Sequence, residues 1–300
     1  SVFVMFGLDP DIWPYRSYSS TIRSDCRTFI TDISFPPMCR WLAYSGPPVH
    51  PEAFLFKAEN SLIQQSLTAR MSVTPTNGDG FGLGWYGSRD EPGLFRDVLP
   101  AWNDENLKCV AQQVESRLFF AHIRAATIGA GIARSNCHPF RYGKWLFMHN
   151  GQIGGYAEIR HLLDRLIAPQ YYRFRQGGTD SETFFYILLT NGLESDPQGA
   201  FARTVGQVEA VMRDNRIDAP LRLTATATDG EIIHAIRYAS DNRAPSLFVG
   251  VQQDEGVPDS ALMVLSEPLT SVAEDWREVA MSHIVTACNG GFDDTPFNPV

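Results

Sequence analysis

The spacing of apolar and polar positions changes several times along the chain, and each change predicts an element. Residues 1–37 show neither a period of 2 nor one of 3.6. They hold Pro10, Pro14, Pro36 and Pro37 with many Ser and Thr, and read as an extension with little structure of its own. Residues 40–45 then read as a strand, and 52–67 as two short helical pieces. Strands are predicted over 81–87 and 93–97, around the turn Asp90-Glu91-Pro92-Gly93. Residues 103–115 read as a helix with Asn103 as N-cap. Residues 118–123 and 144–148 are apolar runs of strand length, whereas 156–166 and 180–190 have helical spacing. A further helix over 198–215 places Ala202, Val205, Val208 and Val211 on one face. The last third returns to strands: 221–228 and 231–238 flank Asp229-Gly230, a hairpin signal, and 247–251, 262–266 and 279–284 follow. Strands at both ends with helices between them suit two sheets with helices packed outside, not an alternating βαβ unit. No repeat or linker divides the chain after the extension, so the expected organisation is an extension over 1–38 and one domain over 39–300.

Composition narrows the class. With 44% hydrophobic and 20% charged residues, the 300-residue chain falls among soluble globular proteins. A net charge of −9 speaks against a nucleic-acid partner. Apolar stretches such as 261–265 are too short to span a bilayer, and Asp9, Pro10 and Asp11 interrupt any signal-like start. The five cysteines, Cys26, Cys39, Cys109, Cys137 and Cys288, form no CxxC, and the expected compartment is a reducing cytoplasm.

Five segments carry candidate chemistry. Cys39 directly follows Met38 and would become a chain terminus if translation began at Met38 and the methionine were trimmed. A terminal cysteine holds a thiol and a free α-amine on one carbon, a nucleophile beside its own base. Arg124 ends an apolar strand, where its guanidinium can fork a carboxylate or simply form a surface ion pair. Asn150-Gly151 follows another strand, where an amide and a backbone N–H can face an oxyanion or form a plain turn. His122, His138 and His149 lie near these segments, at spacings that fit no common zinc pattern. Thr179 or Asp180 can cap the next helix, or an acidic group there can hold an ammonium. The stretch from Asn77 to Tyr86 is glycine-rich, but it lacks Lys-Ser/Thr and precedes a strand, which rejects a P-loop. Nothing implies an organic cofactor or a metal.

Taken in order, Met38-Cys39-Arg40, Asp79-Gly80-Phe81-Gly82, Arg124-Ala125-Ala126-Thr127, His138-Pro139, His149-Asn150-Gly151, Thr179-Asp180-Ser181-Glu182 and Ser266-Glu267-Pro268 resemble a known family. It is the class-II glutamine amidotransferase domain of the N-terminal nucleophile hydrolases, matched from Cys39 to about Pro268. The stand-alone members, which cleave γ-glutamyl bonds in ergothioneine synthesis or glutathione breakdown, are the most similar kind. The resemblance implies an α+β fold, a four-layer αββα sandwich of two antiparallel sheets. It implies Cys39 as nucleophile, and Asn150 with the Gly151 N–H as oxyanion hole. Arg124 would hold the α-carboxylate of a γ-glutamyl group and Asp180 its α-ammonium, with Thr127 and His138 lining the same pocket. The implied partner is a small molecule, glutamine or a γ-glutamyl compound, cleaved through a thioester to glutamate and ammonia or an amine.

Three departures qualify this expectation. Ala125 stands where synthase-linked members often have tryptophan, which touches the identity of the leaving group. No acceptor domain follows, so any ammonia would pass to a separate enzyme, and simple hydrolysis is the favoured reading. Finally, 38 residues precede Cys39 and make its nitrogen an amide. A true start at Met38 is the preferred explanation, a propeptide or an inactive relative the others. The rivals are a glutamine or γ-glutamyl sensor without turnover, a metal hydrolase using the three histidines, and a purely structural protein. A separation of Cys39 from Asn150 and Arg124 beyond roughly 10 Å, several times hydrogen-bond reach, would defeat the family assignment.

Overall fold

Alternation along the central strands sorts side chains into three apolar layers. The computed structural model describes residues 38–68, 76–126, 131–251, 261–288 and 290–300. The extension expected over residues 1–37 therefore lies outside the described residues, and Phe35–Val300 forms one compact unit by itself. The strands are β1 (Arg40–Val49), β2 (Phe81–Trp85), β3 (Gly93–Asp97), β4 (Ser116–Ile123), β5 (Phe140–Tyr142), β6 (Trp145–Ile153), β7 (Leu221–Thr228), β8 (Ile233–Ala239), β9 (Phe248–Val251), β10 (Leu262–Leu265), β11 (Trp276–Glu278), β12 (His283–Cys288) and β13 (Gly291–Pro296). The helices are α1 (Leu62–Leu67), α2 (Glu105–Gln113), α3 (Tyr156–Asp164), α4 (Pro169–Tyr172), α5 (Asp180–Thr190) and α6 (Pro197–Asp214), with a π-helical turn over Ala53–Lys57.

One sheet has the order β11-β9-β10-β1-β4-β2-β3 and the other β13-β12-β8-β7-β6-β5, with antiparallel neighbours throughout. Trp41 and Ala43 of β1, Leu118 and Phe120 of β4, and Leu146 and Met148 of β6 meet between the sheets. The opposite faces of β1 and β4, with Leu42, Tyr44, Phe119 and Ile123, pack against Leu62 of α1 and Leu107 of α2. The outer face of the second sheet packs Phe147, Leu223 and Ile236 against α3, α5 and α6. Helix, sheet, sheet and helix thus form the expected four layers, because the central strands, such as β1, β4 and β6, are apolar on both faces. Helix α5 is buried almost all round, which suits its place against the second sheet.

Several expected boundaries shift for physical reasons. Asn103 ends a 3-10 turn, and Asp104 is the N-cap of α2, accepting the Leu107 N–H at 2.7 Å. The strand expected over 279–284 is broken: β11 stops at Glu278 and β12 starts at His283. Ser282 between them takes a φ of 56°, a turn conformation that ends a strand, although Val279 is buried as its apolar character suggests. Strand β13 is half-exposed and carries Asp293 and Asp294, so it shows no apolar alternation to read. Helix α4 buries none of its residues and shows no apolar stripe for the same reason.

Candidate active site

Register in the first sheet decides where Cys39 lies. Arg40 of β1 pairs with Ile123 of β4, so Cys39 continues β1 alongside Arg124 and Ala125. The thiol sits against Ala125, whose N–H approaches Sγ at 3.4 Å and whose carbonyl accepts from Sγ at 3.5 Å. From the other sheet, Asn150 of β6 brings Oδ1 to 3.1 Å from the Cys39 N–H. Asn150 shares the parity of Leu146 and Met148 and so faces the gap between the sheets. These contacts fall far inside the roughly 10 Å limit that hydrogen-bond reach sets.

The 124–126 segment is splinted by the glycine-rich loop before β2. Arg124 donates its backbone N–H to Gly80 O at 2.8 Å, and Asp79 N donates back to Arg124 O at 3.1 Å. Asp79 Oδ2 accepts the Ala126 N–H at 2.8 Å, and Arg124 Nη1 reaches the Asp79 carbonyl at 3.4 Å. Gly80 has a φ of 114°, and a Cβ there would lie 2.6 Å from Cys137 Sγ and 2.7 Å from Asp97 O, so the loop needs glycine. Gly151 is equally constrained: its φ is 143°, and a Cβ would lie 2.0 Å from Arg222 O on β7.

At the start of α5, Thr179 is the cap, accepting the Glu182 N–H at 3.2 Å. That leaves the Asp180 carboxylate to accept from Ile153 N at 2.9 Å and Ser181 N at 2.8 Å while lining the cavity. Cys39, Arg124, His138, Asn150, Gly151 and Asp180 all line one cavity of about 580 Å³, which continues past Tyr156 and Ala157 to Arg160. Thr127 lies outside the described residues.

Electrostatics at the site is set by burial. Burial pushes the Cys39 thiol up, while Arg124 and Arg40 pull it down and Asp180 adds to the rise. An unassisted thiolate is therefore disfavoured, and the site needs a base. Burial lowers His122 to about 3, places His138 well below its ordinary value and lowers His149, so all three are neutral near pH 7. His122 and His138 stack with ring centroids 4.2 Å apart, and His149 Nδ1 bonds Ser181 Oγ at 2.8 Å. Among the described residues no three His, Cys, Asp or Glu side chains are placed to hold a metal ion.

Several contributors had no role assigned from sequence. Buried Arg40 pairs through Nε with Glu267 Oε2 at 3.1 Å, and Asn60 Nδ2 bonds Glu267 Oε1 at 3.2 Å. Ser266 accepts the Trp41 N–H at 3.0 Å, so Ser266-Glu267 fastens the start of β1. Asn77, also buried, donates Nδ2 to the Met38 carbonyl at 3.1 Å. Arg40, Asn77, Ser266 and Glu267 are marked in the sequence only by the Met38-Cys39-Arg40, Asn77-Gly78-Asp79 and Ser266-Glu267-Pro268 segments, and Asn60 falls in none of them.

Residues 54–240 match the family described as glutamine amidotransferases class-II. The chain is 34% identical over 291 residues to the probable glutamine amidotransferase DUG3 of Saccharomyces cerevisiae, covering 83% of this chain and 81% of that protein. It is 31% identical over 191 residues to the gamma-glutamyl-hercynylcysteine sulfoxide hydrolase of Mycolicibacterium smegmatis, covering 63% and 78% of the two. A solved glutamine aminotransferase class-II domain protein from Silicibacter pomeroyi superposes with a TM-score of 0.70 at 36% identity, over 87% of this chain and 100% of that one. The glutamine phosphoribosylpyrophosphate amidotransferase of B. subtilis, at 14% identity and a TM-score of 0.58 over 87% of this chain and 49% of that one, shares the fold.

Proposed function

The chain belongs to the class-II glutamine amidotransferases and is an enzyme, and from that premise we propose that it hydrolyses a γ-glutamyl amide or peptide bond through a thioester on Cys39. The observation that carries the reading is the meeting of the Cys39 nitrogen and Asn150 Oδ1 at 3.1 Å, in a cavity that also holds Arg124 and Asp180. We assign the catalytic unit to residues 39–300 and take residues 1–38 as absent from the active form.

With Cys39 at the terminus, its α-amine titrates near ~7.7–8.0, so a useful fraction is neutral at pH 7 and can accept the thiol proton. Burial of the thiol makes that transfer necessary. Sulfur then attacks the γ-carbonyl carbon, and the oxyanion accepts from the Asn150 amide and the Gly151 N–H. The protonated α-amine returns its proton to the leaving nitrogen as the C–N bond breaks. Water, deprotonated by the same amine, attacks the thioester and releases glutamate and the free thiol. Arg124 and Asp180 read the carboxylate and the ammonium of the γ-glutamyl head, with His138 as a neutral wall.

Cavities of 300–1,000 Å³ typically bury a drug-sized ligand. At about 580 Å³ and open as far as Arg160, this one has room beyond a glutamine side chain. That favours γ-glutamyl compounds larger than glutamine, in keeping with the γ-glutamyl hydrolase among the relatives. A second reading applies to the chain with Met38 still attached: its Cys39 nitrogen is an amide, so the pocket can bind but not turn over, as a sensor would.

The test is glutamate release from glutamine and a panel of γ-glutamyl amides and peptides. It compares a chain begun at Met38, the 300-residue form and Cys39→Ala. Turnover confined to the Met38-begun form is expected. No turnover in any form, with binding retained, would replace hydrolysis by sensing.

A further inference from the structure

The Met38–Cys39 peptide is gripped at its carbonyl by two buried donors. Arg40 Nη1 lies 3.3 Å from Met38 O and also donates to Cys39 O at 3.1 Å. Asn77 Nδ2 reaches the same Met38 oxygen at 3.1 Å, and Asn77 Oδ1 is buried with no hydrogen-bond partner. Arg40 and Asn77 are 1% and 0% exposed, so this is a built polar socket and not a surface contact. The Met38 carbonyl carbon is bonded directly to the Cys39 nitrogen. The socket therefore adjoins the place where a terminal α-amine would stand.

We propose that the Arg40 guanidinium, clamped by Glu267, is a positioning residue that holds the α-amine of Cys39 in its neutral, proton-accepting form. The inference rests on the reading of Cys39 as an N-terminal nucleophile. A fixed positive charge beside the amine disfavours its ammonium form and so moves its titration to lower pH. Glu267 opposes this effect, but it meets Arg40 at Nε and is held by Asn60, whereas Arg40 Nη1 reaches the Met38 and Cys39 carbonyls and Arg40 is among the charges that act on Cys39. The other charged groups facing the site are Arg124 after β4 and Asp180 on α5, with Asp79 in the loop before β2 and Arg160 of α3 farther along the cavity. Arg124 acts in the same direction as Arg40, Asp180 and Asp79 against it. His138 and His149 are kept neutral by burial and add no charge near pH 7. The socket also explains why the strand begins with a buried arginine directly after the nucleophile, where an apolar residue would pack with less desolvation.

The test is the pH profile of kcat/KM for a γ-glutamyl peptide, measured on the chain whose first residue is Cys39. Its acid limb reports the essential base of the free enzyme. Glu267→Gln is nearly isosteric and leaves Arg40 uncompensated, so the acid limb should move down by about one pH unit. The double variant Arg40→Gln with Glu267→Gln removes both charges without leaving either buried alone, and its limb should move up by about one unit. A purely structural role predicts lower stability or rate with an unmoved limb. Shifts of opposite sign support the proposal. An unmoved limb, or shifts of the same sign, overturns it while leaving hydrolysis intact. Absence of turnover in the unaltered chain overturns the underlying reading as well.

Discussion

Two buried arginines flank Cys39, and they are used in opposite ways. Arg40 is closed in the ionic sense: its guanidinium meets Glu267 at 3.1 Å and two backbone carbonyls at 3.1 and 3.3 Å, with Nη2 buried and without a hydrogen-bond partner. Arg124 is open: its side chain has a single backbone carbonyl at 3.4 Å, and among the described residues no ion pair joins it to a carboxylate. Asp180 is open in the same sense, accepting from backbone N–H groups while lining the cavity with Arg124. A buried charge without an ionic partner is expensive, and a fold retains it where a ligand supplies the missing charge. An arginine and an aspartate left unpaired in one cavity fit a zwitterionic head, with one charge of each sign.

Substitution should separate the two arginines sharply. Arg40→Gln leaves Glu267 buried against a neutral partner and should cost about 3–5 kcal/mol of stability in urea unfolding. Arg124→Gln should leave unfolding within about 1 kcal/mol of the parent, because no internal ion pair is lost. It should lower kcat/KM for γ-glutamyl substrates about a hundred- to a thousandfold through loss of charge-assisted hydrogen bonds. Equal effects of the two on stability would erase the contrast.

A smaller effect sharpens the role of the second sheet. Asn150→Ala should slow the chemical step by about 10²–10³-fold with KM little changed, as for an oxyanion donor. A rise in KM alone would make Asn150 a binding group instead.

The smallest effect concerns the buried histidines, the neutral counterpart of the open charges. Burial lowers His122 to about 3 and also lowers His138 and His149. The unfolded chain, with histidines near ~6.5, then binds more protons than the fold as the medium acidifies. Their contribution to stability is fully present above about pH 6.5 and declines as the pH falls toward 3. Urea midpoints at pH 7 and pH 5 should show the decline, and His122→Gln should reduce it. A midpoint unchanged between the two pH values would contradict the burial account.

The same contrast divides what was legible in the chain. The four layers could be read because strands such as β1 and β4 alternate between two apolar faces, and α6 carries a clear stripe. The candidate residues could be found because Cys39, Arg124 and Asp180 each sit at an element boundary, where side chains escape packing, whereas Asn150 and Gly151 lie inside β6, which runs past the strand end expected at residue 148. The closed pair was not legible. Arg40 and Glu267 are joined only by the β1–β10 register, and neither residue type announces burial. Asn77 lies in a stretch rejected as a phosphate loop, and its contact with Met38 depends on the backbone path that Gly80, at a φ of 114°, makes possible. Where strands lacked apolar alternation, as in β13, periodicity had nothing to report.

The central claim is that Cys39 becomes acylated when its nitrogen is free. Rapid-quench mass spectrometry of the chain beginning at Cys39, mixed with a γ-glutamyl peptide, tests it directly. The account predicts a hydroxylamine-labile glutamyl adduct on the peptide holding Cys39, absent when Met38 remains attached. Turnover without that adduct, an adduct on another thiol such as Cys137, or equal labelling of the Met38-blocked chain would contradict it.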